Sequence, residues 1–301
     1  MTQNTPNQPL VSIIVRTQQG RQGFLREALD SLKRQTFKNF EVLIVENGSH
    51  TLADIITAAK NEAPHLFLRY VPLEKTNSSN AANVGLSKAQ GQYLGFLEDD
   101  AQLFPEHLSV LVKALENHDD APAVYAFAEI RETLVHRLLP LSYEEKRTFV
   151  PKSYAADFWQ NLLSHNFIAP QSILFRRELY DHFGGLHEQL GSLDMWELWQ
   201  RYAQTGMFYA VQSLTSFSRK PFLAVDLSYR HRTTHHYTPR VWDMTQNYKL
   251  PLPLGMVRNA SAFWFNTPRL KAKLKEYVYK YPWMLRLYRR VVYRVSEKGC
   301  E

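Results

Sequence analysis

Apolar and polar positions alternate in two different rhythms along the first half of the chain. Val11–Val15, Phe40–Val45, Phe67–Val71 and Tyr93–Leu97 are short runs rich in β-branched and aromatic residues, which predicts strands. Between the first two runs, Phe24, Leu25, Ala28, Leu29 and Leu32 recur at the spacing of one helix face. Leu52, Ile55, Ile56 and Ala59 do the same in the next gap, and Ala81–Ala89 is a weaker helical stretch. The order β-α-β-α-β-α-β predicts an α/β fold, a Rossmann-like and mostly parallel sheet with helices on its faces. In such sheets ligands bind outside the C-terminal ends of the strands. Three polar loops fall at such ends: 16-RTQQGRQG-23, 46-ENGSH-50 and the acidic turn after Leu97.

Further along, Pro105 is expected in the first turn of a helix whose stripe is Leu108, Leu111, Val112 and Leu115. A strand is expected at 124-VYAFAEI-130, and residues 131–153 read as an irregular loop of mixed charge. A helix near 155–164, a strand at 172-SILF-175, a helix near 177–183, a Gly-Gly turn and a helix near 194–204 follow. Past residue 250 the character changes, with Pro251 and Pro253 followed by interleaved aromatic and basic residues. The predicted organisation is a domain over 1–250, with halves at about 9–130 and 131–250, and a basic helical tail over 251–301.

Charge sharpens that division. The net charge of +7 is carried by the tail, where residues 251–301 hold 11 Lys and Arg against 3 Asp and Glu. The remaining 250 residues hold 25 against 26, which offers nucleic acid no basic groove and excludes it as a partner of the body. Apolar residues make up 45% of the chain and charged residues 22%, ordinary for a globular protein. The single cysteine, Cys300, rules out a disulfide framework or a Cys-rich zinc site and fits a reducing cytosol. The first ten residues lack the basic start and apolar core of a secretory signal. No uninterrupted apolar run approaches the roughly 20 residues that span a bilayer.

The chemistry-bearing residues cluster at the predicted strand ends. In 93-YLGFLEDDAQLFPEHL-108 the strand runs into Glu98, Asp99 and Asp100. Three adjacent carboxylates repel one another, and a hard divalent cation, Mn²⁺ or Mg²⁺, would relieve that repulsion and hold a diphosphate. A solvated turn capping the next helix is the competing reading. Glu46 stands where the second strand ends and can accept a hydrogen bond from the N–H of a base; it also precedes a plain Asn-Gly turn. Arg16, Thr17 and Arg21 follow the first strand, in reach of base or phosphate. Gly20 and Gly23 do not complete a GxGxxG dinucleotide signature, and there is no GxSxG elbow and no P-loop. The histidines have no zinc-like spacing; His231, in 229-YRHRTTHHY-237, is offered as one further metal ligand.

Five segments together resemble the family-2 glycosyltransferases, inverting enzymes of GT-A fold. They are 11-VSIIVRT-17, 30-DSLKRQTFKNFEVLIVENGS-49, 83-NVGLSKAQGQYLGFLEDDAQLFPEHL-108, 167-FIAPQSILFRRELYDHFGGLHEQL-190 and 197-ELWQRYAQTG-206. The resemblance implies that Thr17 and Glu46, with Arg16 and Asn83 nearby, hold the nucleotide. It implies that Glu98 and Asp99 serve metal and donor diphosphate, with Asp100 as the direct metal ligand. An acidic pair before the LW-x-R helix implies a general base, Asp194 first and Glu197 second. The sequence departs from the family pattern at Arg16 and Gln18-Gln19 in the first loop, at Ala82 before Asn83, at Glu98 in place of Asp, and at Met195, where the ungapped count from Arg201 places the base. Asp194, with Glu197 three residues on, also has capping-box spacing.

The implied reaction is metal-dependent transfer of a sugar from a nucleotide-sugar, UDP first with GDP or dTDP as alternatives, to a saccharide or lipid-linked saccharide hydroxyl. Trp159, Trp196 and Trp199 are candidates for the acceptor side or for the core. In 283-WMLRLYRRVVYRV-295 an apolar face of Met284, Leu287, Tyr288, Val291 and Val295 is flanked by arginines. Such a helix suits an anionic membrane surface, and equally a face packed on the body or a second subunit or a linker to a partner; the membrane reading of residues 269–301 would put a cytoplasmic enzyme on the inner face of the plasma membrane, in surface polysaccharide biosynthesis. A sugar nucleotidyltransferase and a non-catalytic carbohydrate-binding module are the competing functions.

Overall fold

Val11 is fully buried, as are Ile14 and Val15, because the strand that carries them lies between two others with helices on both faces. In the computed structural model, which describes residues 8–48, 51–151, 158–222, 241, 244, 245 and 248–251, that strand is β1 (Val11–Gln18). It pairs in parallel with β2 (Phe40–Asn47) and β4 (Tyr93–Glu98), and β2 pairs in parallel with β3 (Phe67–Leu73). The helices α1 (Gln22–Lys33), α2 (Ala53–Glu62) and α3 (Ser78–Lys88) connect them. α1 buries Phe24, Leu25, Ala28, Leu29 and Leu32, the stripe its periodicity predicts; burying each large apolar side chain contributes about 1.5–3 kcal/mol. Gly85 lets α3 lie close on β1, since a Cβ there would press on the Ile14 side chain inside van der Waals contact.

Beyond β4 the sheet becomes mixed. β5 (Ala101–Leu103) is followed by α4 (His107–Asn117), which begins two residues past Pro105, with Glu106 as its N-cap. Pro105 therefore precedes the helix instead of opening it. β6 (Ala123–Leu138), β7 (Leu141–Phe149), α5 (Phe158–Ser164), β8 (Ile173–Arg176), α6 (Arg177–Phe183), α7 (Asp194–Tyr202) and β9 (Tyr209–Pro221) complete the described elements. The sheet runs β3-β2-β1-β4-β8-β6-β9-β5, with β7 paired to β6. β8 is antiparallel to β4 and to β6, and β6 is parallel to β9.

Two expectations are corrected here. Residues 131–153 are not an irregular loop: most of them form the β6–β7 hairpin. β9 has no counterpart in the sequence reading. Both segments are mixed in burial, the hairpin is rich in charge and β9 in small polar residues, so no two-residue apolar alternation marks them. Backbone pairing and local ion pairs hold them instead. Arg131 binds Glu129 and Glu145 and stacks 3.6 Å from the Phe217 ring of β9. The three tryptophans offered for an acceptor surface are buried: Trp199 packs on Phe96 and Phe175, Trp196 donates to the Leu162 carbonyl at 2.6 Å, and Trp159 packs on Phe158.

Contacts divide the chain into Met1–Pro251 and Leu252–Glu301. The second unit, and with it the basic helix expected at 269–301, lies outside the described residues, as does His231. No helix among the described residues is long and apolar enough to cross a membrane.

Candidate active site

Strand register assembles the site. Because β1 and β4 are parallel with Val11 opposite Tyr93, Arg16 falls opposite Glu98 at their C-terminal ends. On the other side Thr17 falls opposite Glu46. The Arg16 guanidinium donates to Glu98 Oε1 through Nε (3.0 Å) and Nη2, and through Nη1 to the Ser78 carbonyl (3.2 Å) at the start of α3. Nη1 also lies 3.9 Å from Asp194 Oδ2, at the start of α7. One largely covered arginine thus joins β1, β4, α3 and α7. Burial disfavours its charge, but Glu98 and then Asp194 outweigh burial, and its pKa is raised.

Asp99 and Asp100 form the turn after β4. Arg21 donates from Nε to both Asp99 oxygens (3.0 and 3.2 Å) and from Nη2 to Asp99 Oδ1 (2.6 Å) and Asp100 Oδ2 (2.8 Å). Thr17 Oγ1 adds a bond to Asp99 Oδ2 at 2.9 Å. Burial pushes both aspartates up, Asp100 to about 6, where the charge of Asp99 adds to burial and Arg21 opposes. The Asp100 side chain is still 30% exposed, so it remains open to a ligand from the cleft. Arg16, Thr17, Gln18, Arg21, Ser78 and the three acids line most of a cleft of about 350 Å³.

Asp194 is buried, with Ser79 Oγ donating to Oδ2 (2.7 Å) and the Met195 N–H to Oδ1 (2.7 Å). Burial raises its pKa against the opposing pull of Arg16. Four carboxylates, Glu98, Asp99, Asp100 and Asp194, therefore stand against two guanidinium groups. The excess of negative charge suits a divalent cation. Asp99 has no oxygen to spare, but Asp100 Oδ1 and Glu98 Oε2 accept no hydrogen bond among the described residues. Those two oxygens fit a hard cation that takes its remaining ligands from phosphate and water. Among the described residues no group of three or more metal-ligating side chains converges.

Three other predicted site residues turn inward. Glu46 is fully buried and accepts from Thr51 N (2.9 Å), Thr51 Oγ1 (3.2 Å), Leu52 N (3.2 Å) and the Tyr70 hydroxyl. It ties the start of α2 to the end of β2. Asn83 bonds the Leu186 N–H (2.7 Å) and carbonyl (2.9 Å), pinning the Gly184-Gly185 turn against α3. Glu197 is fully buried and grips Arg201 with two bonds of 2.8 Å, with the Tyr248 hydroxyl as a further donor. Arg201 in turn bonds the carbonyls of Phe183, Gly184 and Gly185. Glu197 is thus part of a structural clamp and not of the cleft. Ser78, Ser79 and Asn47, which the sequence did not single out, belong to the site or its wall. The Asn77 cap of α3, which accepts from Asn80 N at 2.7 Å, is the local signal that could have drawn attention to Ser78 and Ser79.

The sequence model described as Glycosyl transferase family 2 matches residues 12–184, more than half of the chain. The chain belongs to glycosyl transferase family 2. An uncharacterized glycosyltransferase of Rickettsia typhi is 27% identical to this family member over 212 residues, 69% of this chain and 63% of the relative. The match thus spans less than two thirds of that relative's length. Among solved structures, S. aureus TarS in complex with UDP-GlcNAc superposes with a TM-score of 0.53 at 20% identity, over 70% of this chain and 58% of that one. The mannosyltransferase PcManGT of Pyrobaculum calidifontis, in complex with GDP-Man and Mn²⁺, gives 0.54 at 17% identity, over 98% and 85%. The fold of this family-2 glycosyltransferase is GT-A: a curled α/β sheet whose parallel half carries the cleft at its C-terminal edge.

Proposed function

We propose that the cleft binds a nucleotide-sugar and that the enzyme transfers its sugar, with inversion, to a hydroxyl of a saccharide or lipid-linked saccharide in surface polysaccharide synthesis. One observation carries the reading. Asp194, far along the chain, is brought through Arg16 to the same strand edge as Glu98, Asp99 and Asp100. A diphosphate-binding end and a buried carboxylate then flank one reaction point, as an inverting displacement requires.

In this reading the nucleotide lies along Gln18 and Asn47 at the ends of β1 and β2. Glu46 acts indirectly, by fixing the loop that follows β2. The diphosphate lies against Arg21 and the first turn of α3, where Ser78 is in the cleft wall and the helix dipole favours negative charge. Asp100, with Glu98 beside it, would hold Mn²⁺ or Mg²⁺, which when bound supplies positive charge to the departing diphosphate. Asp194 takes the proton from the acceptor oxygen as that oxygen attacks the anomeric carbon from the opposite face. Ser79 and the Met195 N–H keep the carboxylate aimed, and Arg16 stabilises its charged form until the proton arrives. UDP is the first candidate for the nucleotide and GDP the second; the TarS structure holds UDP-GlcNAc and the PcManGT structure GDP-Man. The test is release of nucleoside diphosphate from a panel of UDP-, GDP- and dTDP-sugars with and without Mn²⁺. Turnover of one donor supports the reading; failure to bind or cleave any of them refutes it.

A further inference from the structure

The two arginines of the cleft are built differently. Arg16 is 11% exposed and tied to four elements, whereas Arg21 is 26% exposed and sits in the cleft wall. Arg21 keeps three of its four hydrogen bonds on Asp99, a buried carboxylate that Thr17 also holds. Only one bond, Nη2 to Asp100 Oδ2 at 2.8 Å, reaches the neighbouring acid. Breaking that bond leaves the guanidinium anchored on Asp99. It also keeps the aromatic support of Phe24, whose ring centroid lies 4.6 Å from Arg21 Cζ and which stacks on Tyr143 at 6.3 Å. The Asp100 carboxylate can thus be released by a small rotation, without uncovering a buried charge.

We propose that Arg21 is a displaceable internal counter-cation: it neutralises Asp100 while no divalent ion is bound, and gives that carboxylate up when one arrives. The inference rests on the metal assignment proposed above and adds a consequence to it. A cation that takes both Asp100 oxygens, Oδ1 being already free, must displace Nη2 from Oδ2 and then sits beside a like charge, so the metal alone binds weakly. A diphosphate gives the displaced Nη2 a new acceptor and screens the two cations from each other. Metal and nucleoside diphosphate therefore tighten each other's binding, and by linkage the factor is the same in both directions. The excess of carboxylates over guanidinium groups makes this exchange favourable once the phosphate is present.

The test is Mn²⁺ affinity, read by titration calorimetry and by the electron paramagnetic resonance signal of free Mn²⁺, in full-length wild type, Arg21→Gln and Arg21→Lys, each with and without UDP and, in a parallel arm, GDP. Arg21→Gln should bind Mn²⁺ alone at least tenfold more tightly than wild type and lose most of the coupling to the nucleotide. Arg21→Lys keeps the charge but cannot fork across both acids, and should tighten Mn²⁺ severalfold; it decides the matter if the glutamine variant does not fold. Mn²⁺ affinity equal to or weaker than wild type in the folded variants overturns the proposal while leaving the metal site standing. Absence of Mn²⁺ binding in every variant, with or without nucleotide, overturns both.

Discussion

Replacing Asp194 by Asn separates the chemical role of this residue from its structural one. The amide has the same shape and retains an oxygen for the Ser79 hydroxyl, whose bond is 2.7 Å in the wild type, while its NH2 replaces the oxygen that accepts from the Met195 N–H at 2.7 Å. What disappears is the Met195 bond and the negative charge 3.9 Å from Arg16 Nη1. At an effective dielectric constant of about 20 that attraction is worth about 4 kcal/mol gross. Burial opposes that attraction, as the upward direction of the Asp194 pKa indicates, so the lost Met195 bond sets the expected destabilisation at about 1–3 kcal/mol, or roughly 2–12 °C in Tm. Loss of a general base lowers kcat by about 10²–10⁴-fold, equivalent to roughly 3–5 kcal/mol of barrier. The assay is initial-rate release of nucleoside diphosphate at saturating donor, with donor Kd measured separately by calorimetry. The expected pattern is a collapsed kcat with donor Kd within about threefold of wild type. The wild-type rate should also fall at acid pH with a midpoint above the ordinary aspartate value of about 3.9, because burial raises the pKa of the base. A variant whose kcat stays within a few-fold of wild type would show that Asp194 merely starts α7 and braces Arg16.

Asp100→Ala should abolish Mn²⁺-dependent turnover and leave the far-ultraviolet circular dichroism spectrum unchanged, because Asp99 still anchors Arg21; retained metal-dependent turnover would sink the metal assignment. Glu197→Ala strands the buried Arg201 and should cost about 3–5 kcal/mol, lowering Tm by roughly 6–20 °C. A thermally unchanged but inactive Glu197→Ala would restore Glu197 to the catalytic candidates. The His107 imidazole, buried and 2.8 Å from Thr215 Oγ1, is pushed down to about 3 by burial, with the Thr215 contact only partly opposing. Its ordinary value is about 6.5, so below that pH the unfolded chain takes up a proton that the folded protein refuses. Stability should therefore be full above pH 6.5 and fall by about 1.4 kcal/mol per unit on acidification towards pH 3, about 2 kcal/mol of it by pH 5. His107→Gln should flatten this part of the urea-midpoint profile; an unchanged slope would remove His107 as its source.

The parallel half of the fold was legible in the chain because its signals are local. Strands buried on both faces must be apolar throughout, and connecting helices must show an apolar stripe, so Ile13, Val42 and Leu29 announce their places without knowledge of any partner. The acidic turn after β4 and the base candidate Asp194 were visible as residue types at a strand end and a helix start. The first half of β6 was legible as the strand expected at 124–130, but its continuation, β7 and β9 were not, because strands exposed on one or both faces lack a steady apolar alternation and draw their stability from partners distant in the sequence. The resemblance ranked Asp194 ahead of Glu197, but no local pattern separates two acids three residues apart at the start of one helix. Register and packing turn Asp194 towards Arg16 and Ser79, and bury Glu197 against Arg201. The same holds for the charge that offsets the acidic triplet. The sequence required a cation there and suggested a metal ion. Tertiary structure brings in two from the chain itself, Arg16 because β1 and β4 are in register and Arg21 because the loop after β1 folds back over the turn after β4. Which residues make a strand or helix of the parallel half is decided by neighbours a few positions away; which charge meets which is decided by pairing across the sheet, and that distance is not written in any local pattern.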